Sequence, residues 1–213
     1  MKPISIALSI IAMAVATACS TPDRSRDLGN PAVSGKTLAQ QVCINCHGFD
    51  GNTKSPNFPN LAGQQEAYLV SQLKDYRGHS RSDPAGFEYM WGLSKPLSDD
   101  QITELAKYYA AQKPLAGDAG DPALATEGKR IFTKGNPEKE TPPCASCHGA
   151  EGQGVATFPR LAGQHADYIV KQLNVFQRTD ERPEGAVMKT VAHGMSEQDM
   201  LAVATYLQGL ASK

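Results

Sequence analysis

The longest apolar run lies at the N-terminus. Residues 4–16 carry no charge over thirteen positions and follow Met1-Lys2. That run is too short to cross a bilayer and suits the apolar centre of a secretion signal. Ala16-Thr17-Ala18 then supplies a small-x-small cleavage site. Residues 1–18 are therefore expected to be a signal peptide, with Cys19 first in the mature chain. Residues 19–33 are polar, contain Pro22, Gly29 and Pro31, and read as a tether. Beyond them apolar residues return at helical spacing. Tyr68, Leu69, Leu73 and Tyr76 share one face and predict a helix over residues 64–76. The same reasoning predicts helices over 35–42, 98–111, 123–132, 164–176 and 196–210. Ser98 with Gln101 has capping-box spacing, and Ser196 with Asp199 marks a second N-cap. No alternating run is long enough for a strand, so the expected class is all-α.

The helical pattern occurs twice. Phe58-Pro59-Asn60-Leu61-Ala62-Gly63-Gln64 returns as Phe158-Pro159-Arg160-Leu161-Ala162-Gly163-Gln164, at an offset of 100. Tyr68, Gln72 and Leu73 return at the same offset as Tyr168, Gln172 and Leu173. The period is too long for a solenoid unit and predicts two tandem domains, residues 34–113 and 123–213. Residues 114–122, rich in Pro, Gly and Asp, read as the linker.

Composition narrows the function. Lys+Arg total 21 and Asp+Glu 22, for a net charge of −1. That balance gives no basic footprint and argues against nucleic acid as a partner. Domains of about 90 residues sit near the size at which a core becomes marginal. With few helices and long loops, each copy needs something else at its centre.

The cysteines indicate what that is. Cys43-Ile44-Asn45-Cys46-His47 and Cys144-Ala145-Ser146-Cys147-His148 both match C-x-x-C-H, the attachment motif of c-type haem. Two thiols one helical turn apart can add to two vinyl groups on one haem edge, and the next residue brings an imidazole under the iron. A zinc site would need further Cys or paired His nearby, and neither copy has them. Two covalently bound haem c groups are expected, on Cys43 and Cys46 and on Cys144 and Cys147, with His47 and His148 as axial ligands.

Symmetry selects the remaining ligands. Met/His ligation suits electron transfer. Past the signal segment the first copy has one methionine, Met90, and at an offset of 98 it aligns with Met188. Met195 and Met200 align with Leu97 and Ile102 and are expected in the core of the last helix. His79, His165 and His193 have no repeated counterpart and are expected on the surface. A ligating imidazole usually donates its second N–H to a carbonyl. Pro59 and Pro159, 12 and 11 residues after their histidines, are placed to supply it. Tyr68, Trp91 and Tyr168 are candidates either for haem-pocket lining and propionate contacts or for ordinary core packing.

With these motifs, each half resembles a class I cytochrome c domain, and the tandem chain resembles the dihaem cytochrome c4 family over about residues 34–211. The resemblance implies two low-spin Met/His haems in an all-α pair related by pseudo-twofold symmetry. It also implies a periplasmic electron carrier, often attached to a membrane, serving terminal oxidases or other respiratory reductases, with a quinol-oxidising complex as donor. Two features depart from the pattern. Cys19 resembles the lipid-bearing first residue of a bacterial lipoprotein, although Ala16 replaces the usual Leu; lipid there would anchor the chain. Residues 136–143 lengthen the path to the second cysteine pair. Other functions compete with the carrier: a dihaem peroxidase-like enzyme, which needs an open iron position, and a haem-based sensor or a cytochrome subunit of a larger oxidoreductase.

Overall fold

The computed structural model describes residues 24–84 and 86–210. The expected signal peptide and Cys19 lie outside them. The first half begins with α1 (Gly35–Leu38), whose N-cap Ser34 accepts a hydrogen bond from the Thr37 N–H. This helix does not stop at residue 42. It widens into a π-helical turn (Ala39–Cys43) and continues as α2 (Ile44–His47), where Gly48 at φ 79° ends it. Then follow α3 (Glu66–Arg77), a second π-helical turn (Gly86–Met90), α4 (Trp91–Ser94) and α5 (Asp99–Ala110).

The second half repeats the plan with α6 (Pro122–Lys134), α7 (Ala145–His148), α8 (Ala166–Arg178), α9 (Ala186–Ala192) and α10 (Glu197–Gln208). Both final helices carry a full capping box, Ser98 with Gln101 and Ser196 with Asp199. Short 3₁₀ turns at Pro137–Lys139 and Pro183–Gly185 complete it. Among the described residues there is no strand, only two isolated bridges, and no helix long and apolar enough to cross a membrane.

In each half the last helix packs on the first. The backbones come so close that a Cβ on Gly128 would lie 1.9 Å from the Ala202 carbonyl oxygen, and one on Gly35 would lie 2.5 Å from Glu104 Cβ. Leu38, Leu69, Ile102, Leu105 and Tyr109 fill the first core. Ile131, Phe132, Ile169, Leu173, Met200 and Leu207 fill the second.

Several boundaries differ from the periodicity. Val33 is fully buried and Leu28 packs beside it, so the expected tether ends inside the first domain. The Gln101 side chain fixes that segment by donating to the Asn30 and Val33 carbonyls. Gln64 and Gln164 precede α3 and α8 rather than starting them, because both carboxamides are used between the domains. Pro122 already belongs to α6, capped by Asp121. The linker is tied to both halves: Leu115 N–H donates to Asn52 Oδ1, and Gly117 N–H donates to the Gln208 carbonyl. The additional loop of the second half is closed by paired bonds between Asn136 and Thr141. Its Lys139 ammonium lies on Asp199 and Ser196, at the start of α10.

Candidate haem sites and the interface between them

The two C-x-x-C-H segments fold alike. In each, one helical turn carries both cysteines on the same side, and a positive-φ glycine, Gly48 or Gly149, turns the chain away immediately after the histidine. All four thiols are free. Cys43 and Cys144 lie against their domain cores, and burial pushes both thiols up to about 11. Among the described residues no three His, Cys, Asp or Glu side chains converge on a metal position.

His47 and His148 are 8% and 6% exposed, which removes them from bulk water. His47 Nδ1 lies 3.0 Å from the Pro59 carbonyl oxygen, and His148 Nδ1 lies 2.9 Å from that of Pro159. A carbonyl oxygen only accepts, so Nδ1 carries the proton in both rings and Nε2 keeps a lone pair. Burial holds both imidazoles below the ordinary histidine range, against the opposing effect of the carbonyl bond. Phe58 and Phe158 stand edge-on to these rings, at 6.2 and 6.1 Å. Each site thus combines two unpaired thiols, a neutral imidazole with a free Nε2 and an aromatic wall. Phe87 and Tyr89 beside Met90, and Val187 beside Met188, are exposed, and Tyr89 stands edge-on to Phe58 at 5.9 Å. The residues fit haem c.

Met90 ends the π-helical turn Gly86–Met90 and is half-buried. Met188 lies on α9, half-buried against the second core. Met200 is a core residue of α10, whereas Met195 enters the core from just before that helix. His79 is exposed and stacks on Trp91, with centroids 4.1 Å apart. Trp91 Nε1–H donates to the Arg81 carbonyl. His165 is not a free surface residue. It is half-buried, and its Nε2–H donates to the Thr53 carbonyl across the domain boundary, because it occupies the place that Gln65 takes in the first half.

The interface between the halves is polar and pseudo-symmetric. Gln164 bonds the backbone of Asn60 through both ends of its carboxamide, and Gln64 does the same to Arg160. A second pair, Arg81 and Arg182, escaped the sequence reasoning. Arg81 is buried against Asp83 and reaches Gln72, Gln172 and Tyr168. Arg182 pairs with Glu184 and reaches Gln172, Gln72 and Tyr68. Each guanidinium also covers an aromatic ring, Tyr76 and Phe176 respectively. Burial alone would raise the Asp83 carboxyl, but the Arg81 charge and hydrogen bonds hold it below the usual carboxylate range. The signal was present in the sequence: Arg-x-acid recurs at an offset of 101. Tyr68 and Tyr168 therefore meet the arginine of the opposite half.

The cytochrome c family model matches residues 32–111 and 125–211. A cytochrome c4 of Stutzerimonas stutzeri is 42% identical over 178 residues, covering 79% of this chain and 84% of that protein. A thiosulfate dehydrogenase electron acceptor of Thiomonas intermedia is 38% identical, covering 78% of this chain and 76% of that protein. Among solved structures, the reduced recombinant cytochrome c4 from Pseudomonas stutzeri matches with a TM-score of 0.74 at 40% identity. That match covers 85% of this chain and 99% of that one.

Proposed function

The chain belongs to the cytochrome c family, as a dihaem electron-transfer protein of the cytochrome c4 type, and on that premise we propose that it is a periplasmic carrier without substrate chemistry of its own. Its two covalent haem c groups are held by Cys43 and Cys46 and by Cys144 and Cys147. His47 with Met90, and His148 with Met188, would hold the two irons. The haems supply reversible one-electron chemistry. The protein fixes each imidazole through a proline carbonyl, keeps it neutral by burial and sets a phenylalanine edge-on to it. The carrying observation is the recurrence of one arrangement, a buried histidine on a proline carbonyl beside two free thiols, at equivalent places in both halves. A peroxidase would need one iron open to substrate, and two equivalent methionines argue against that.

The donor in this reading is a quinol-oxidising complex and the acceptor a terminal oxidase or reductase. The relatives named as electron acceptors of thiosulfate dehydrogenase favour a second donor class, a dehydrogenase acting on a small inorganic substrate. Stopped-flow reduction by each donor type separates the two. Lipid on Cys19 would attach the carrier to the membrane, and the mass of the mature N-terminal peptide tests it.

The assignment of the irons is tested by absorption spectra during a redox titration, with carbon monoxide and peroxide as probes. The expected result is two low-spin haems with the methionine–iron charge-transfer band, inert to both probes. Met90→Ala and Met188→Ala should each open one iron to carbon monoxide and leave the other closed. A wild-type haem that reacts rapidly with either probe would overturn the assignment.

A further inference from the structure

We propose that each haem's axial histidine is tuned by a glutamine of the other domain, Gln164 acting on His47 and Gln64 acting on His148. This rests on the assignment of those histidines as iron ligands. The Pro59 carbonyl and the Asn60 N–H are the two ends of one peptide group. The carbonyl accepts from His47 Nδ1–H at 3.0 Å, and the N–H donates to Gln164 Oε1 at 2.9 Å. In the other half, Pro159 accepts from His148 Nδ1–H at 2.9 Å, and Arg160 N–H donates to Gln64 Oε1 at 2.6 Å. Two chains of hydrogen bonds therefore cross the interface in opposite directions, each ending on an imidazole.

Both glutamines are held in place. Each is 7% exposed. Gln164 Nε2 returns a bond to the Asn60 carbonyl, and Gln64 Nε2 returns one to Arg160. The same Oε1 atoms also accept from the N–H groups of His165 and Gln65. A flipped amide would set its NH₂ against these backbone donors, so the orientation is determined by the network.

The physical effect follows from peptide resonance. Charge is delocalised over O, C and N, so an acceptor on the N–H leaves more negative charge on the carbonyl oxygen and strengthens its next bond. A stronger acceptor at Nδ1–H makes the imidazole a more basic ligand. A more basic ligand favours the ferric iron and lowers the potential. Gln164 and Gln64 are positioning residues that act through a peptide of the opposite domain.

The test is made on the full-length dihaem protein with Gln164→Leu, Gln64→Leu and, as an interface control, Gln65→Leu. Gln65→Leu removes the bond to the Gln153 carbonyl without touching either chain. NMR-monitored redox titration gives the potential of each haem separately, and the Nδ1–H resonances of His47 and His148 report their hydrogen bonds. Gln164→Leu should raise the potential of the first haem and shift the His47 Nδ1–H signal upfield, with the second haem unmoved. Gln64→Leu should do the reverse, and Gln65→Leu neither. Gln164→Glu keeps an accepting oxygen and should not raise the first potential, which covers the case of a leucine variant that folds poorly. Equal shifts of both haems, a shift of the haem in the glutamine's own domain, or no shift with both haems low-spin would overturn the proposal. A wild-type protein without histidine-ligated haem would overturn the ligand assignment, and the proposal with it.

Discussion

At the scale of single residues, the interface places charge where water is absent. The side chains of Arg81 and Asp83 are 3% and 2% exposed and meet at 2.7 Å. Removing one partner of a buried pair leaves the other charge without compensation, at about 3–5 kcal/mol. Arg81→Met should cost about that much in denaturant unfolding, and Arg81→Met with Asp83→Leu together should cost clearly less. Equal losses for the single and double variants would mean that the pair adds nothing beyond packing. This cluster shows which residues the sequence could reveal. The contacts of His47 with the Pro59 carbonyl and of His148 with the Pro159 carbonyl were legible because their chemistry is local: each proline follows its histidine at nearly the same short separation in both copies. Arg81 and Arg182 draw part of their partners from the opposite half, and an isolated arginine in the sequence carries no mark of burial. The repeat offset alone could have singled them out.

At the scale of elements, the helix starts marked by a capping serine were legible, and the starts of α3 and α8, expected at Gln64 and Gln164, were not. Ser98 and Ser196 cap α5 and α10 as their spacing predicts. The π-helical turn that joins α1 to α2 left no trace in the apolar periodicity. It keeps the chain helical up to the cysteines and so joins the packed helix rigidly to the attachment turn. Close crossing of the first and last helices positions that turn, and it depends on glycine. A Cβ on Gly128 would meet the backbone of α10 rather than a side chain able to move aside. Gly128→Ala should therefore force the helices apart and destabilise the second domain by about 1–3 kcal/mol. Thermal unfolding followed at the second haem's absorption checks this. An unchanged midpoint would show that α6 slides along α10 without loss.

At the scale of the whole molecule, the halves are joined by polar groups whose protonation matters, and this gives stability a defined dependence on pH. Asp83 is held below the ordinary carboxylate range by Arg81, despite its burial. Asp199, at the start of α10, is likewise lowered on balance: burial opposes ionisation, but the Lys139 ammonium and the Ser196 bonds outweigh it. In the unfolded chain both carboxyls return to about 3.9. A group whose folded value is depressed binds fewer protons when folded. Its stabilisation is complete above the unfolded value and is lost as pH falls through the folded one. Neither carboxyl should therefore contribute a slope between pH 7 and about 5, and both should contribute a steep loss below about pH 4. Protonating Asp83 also removes the charge that offsets Arg81 while Arg182 shares the same two glutamines. Two guanidiniums in one buried site then repel, and the interface should weaken before the helical cores do. Small-angle scattering on the dihaem protein should show the radius of gyration rising below about pH 4 while helical circular dichroism persists. Asp83→Asn should weaken the interface at neutral pH and flatten its acid dependence. Separation of the domains with a midpoint near neutrality would assign control of the interface to another group.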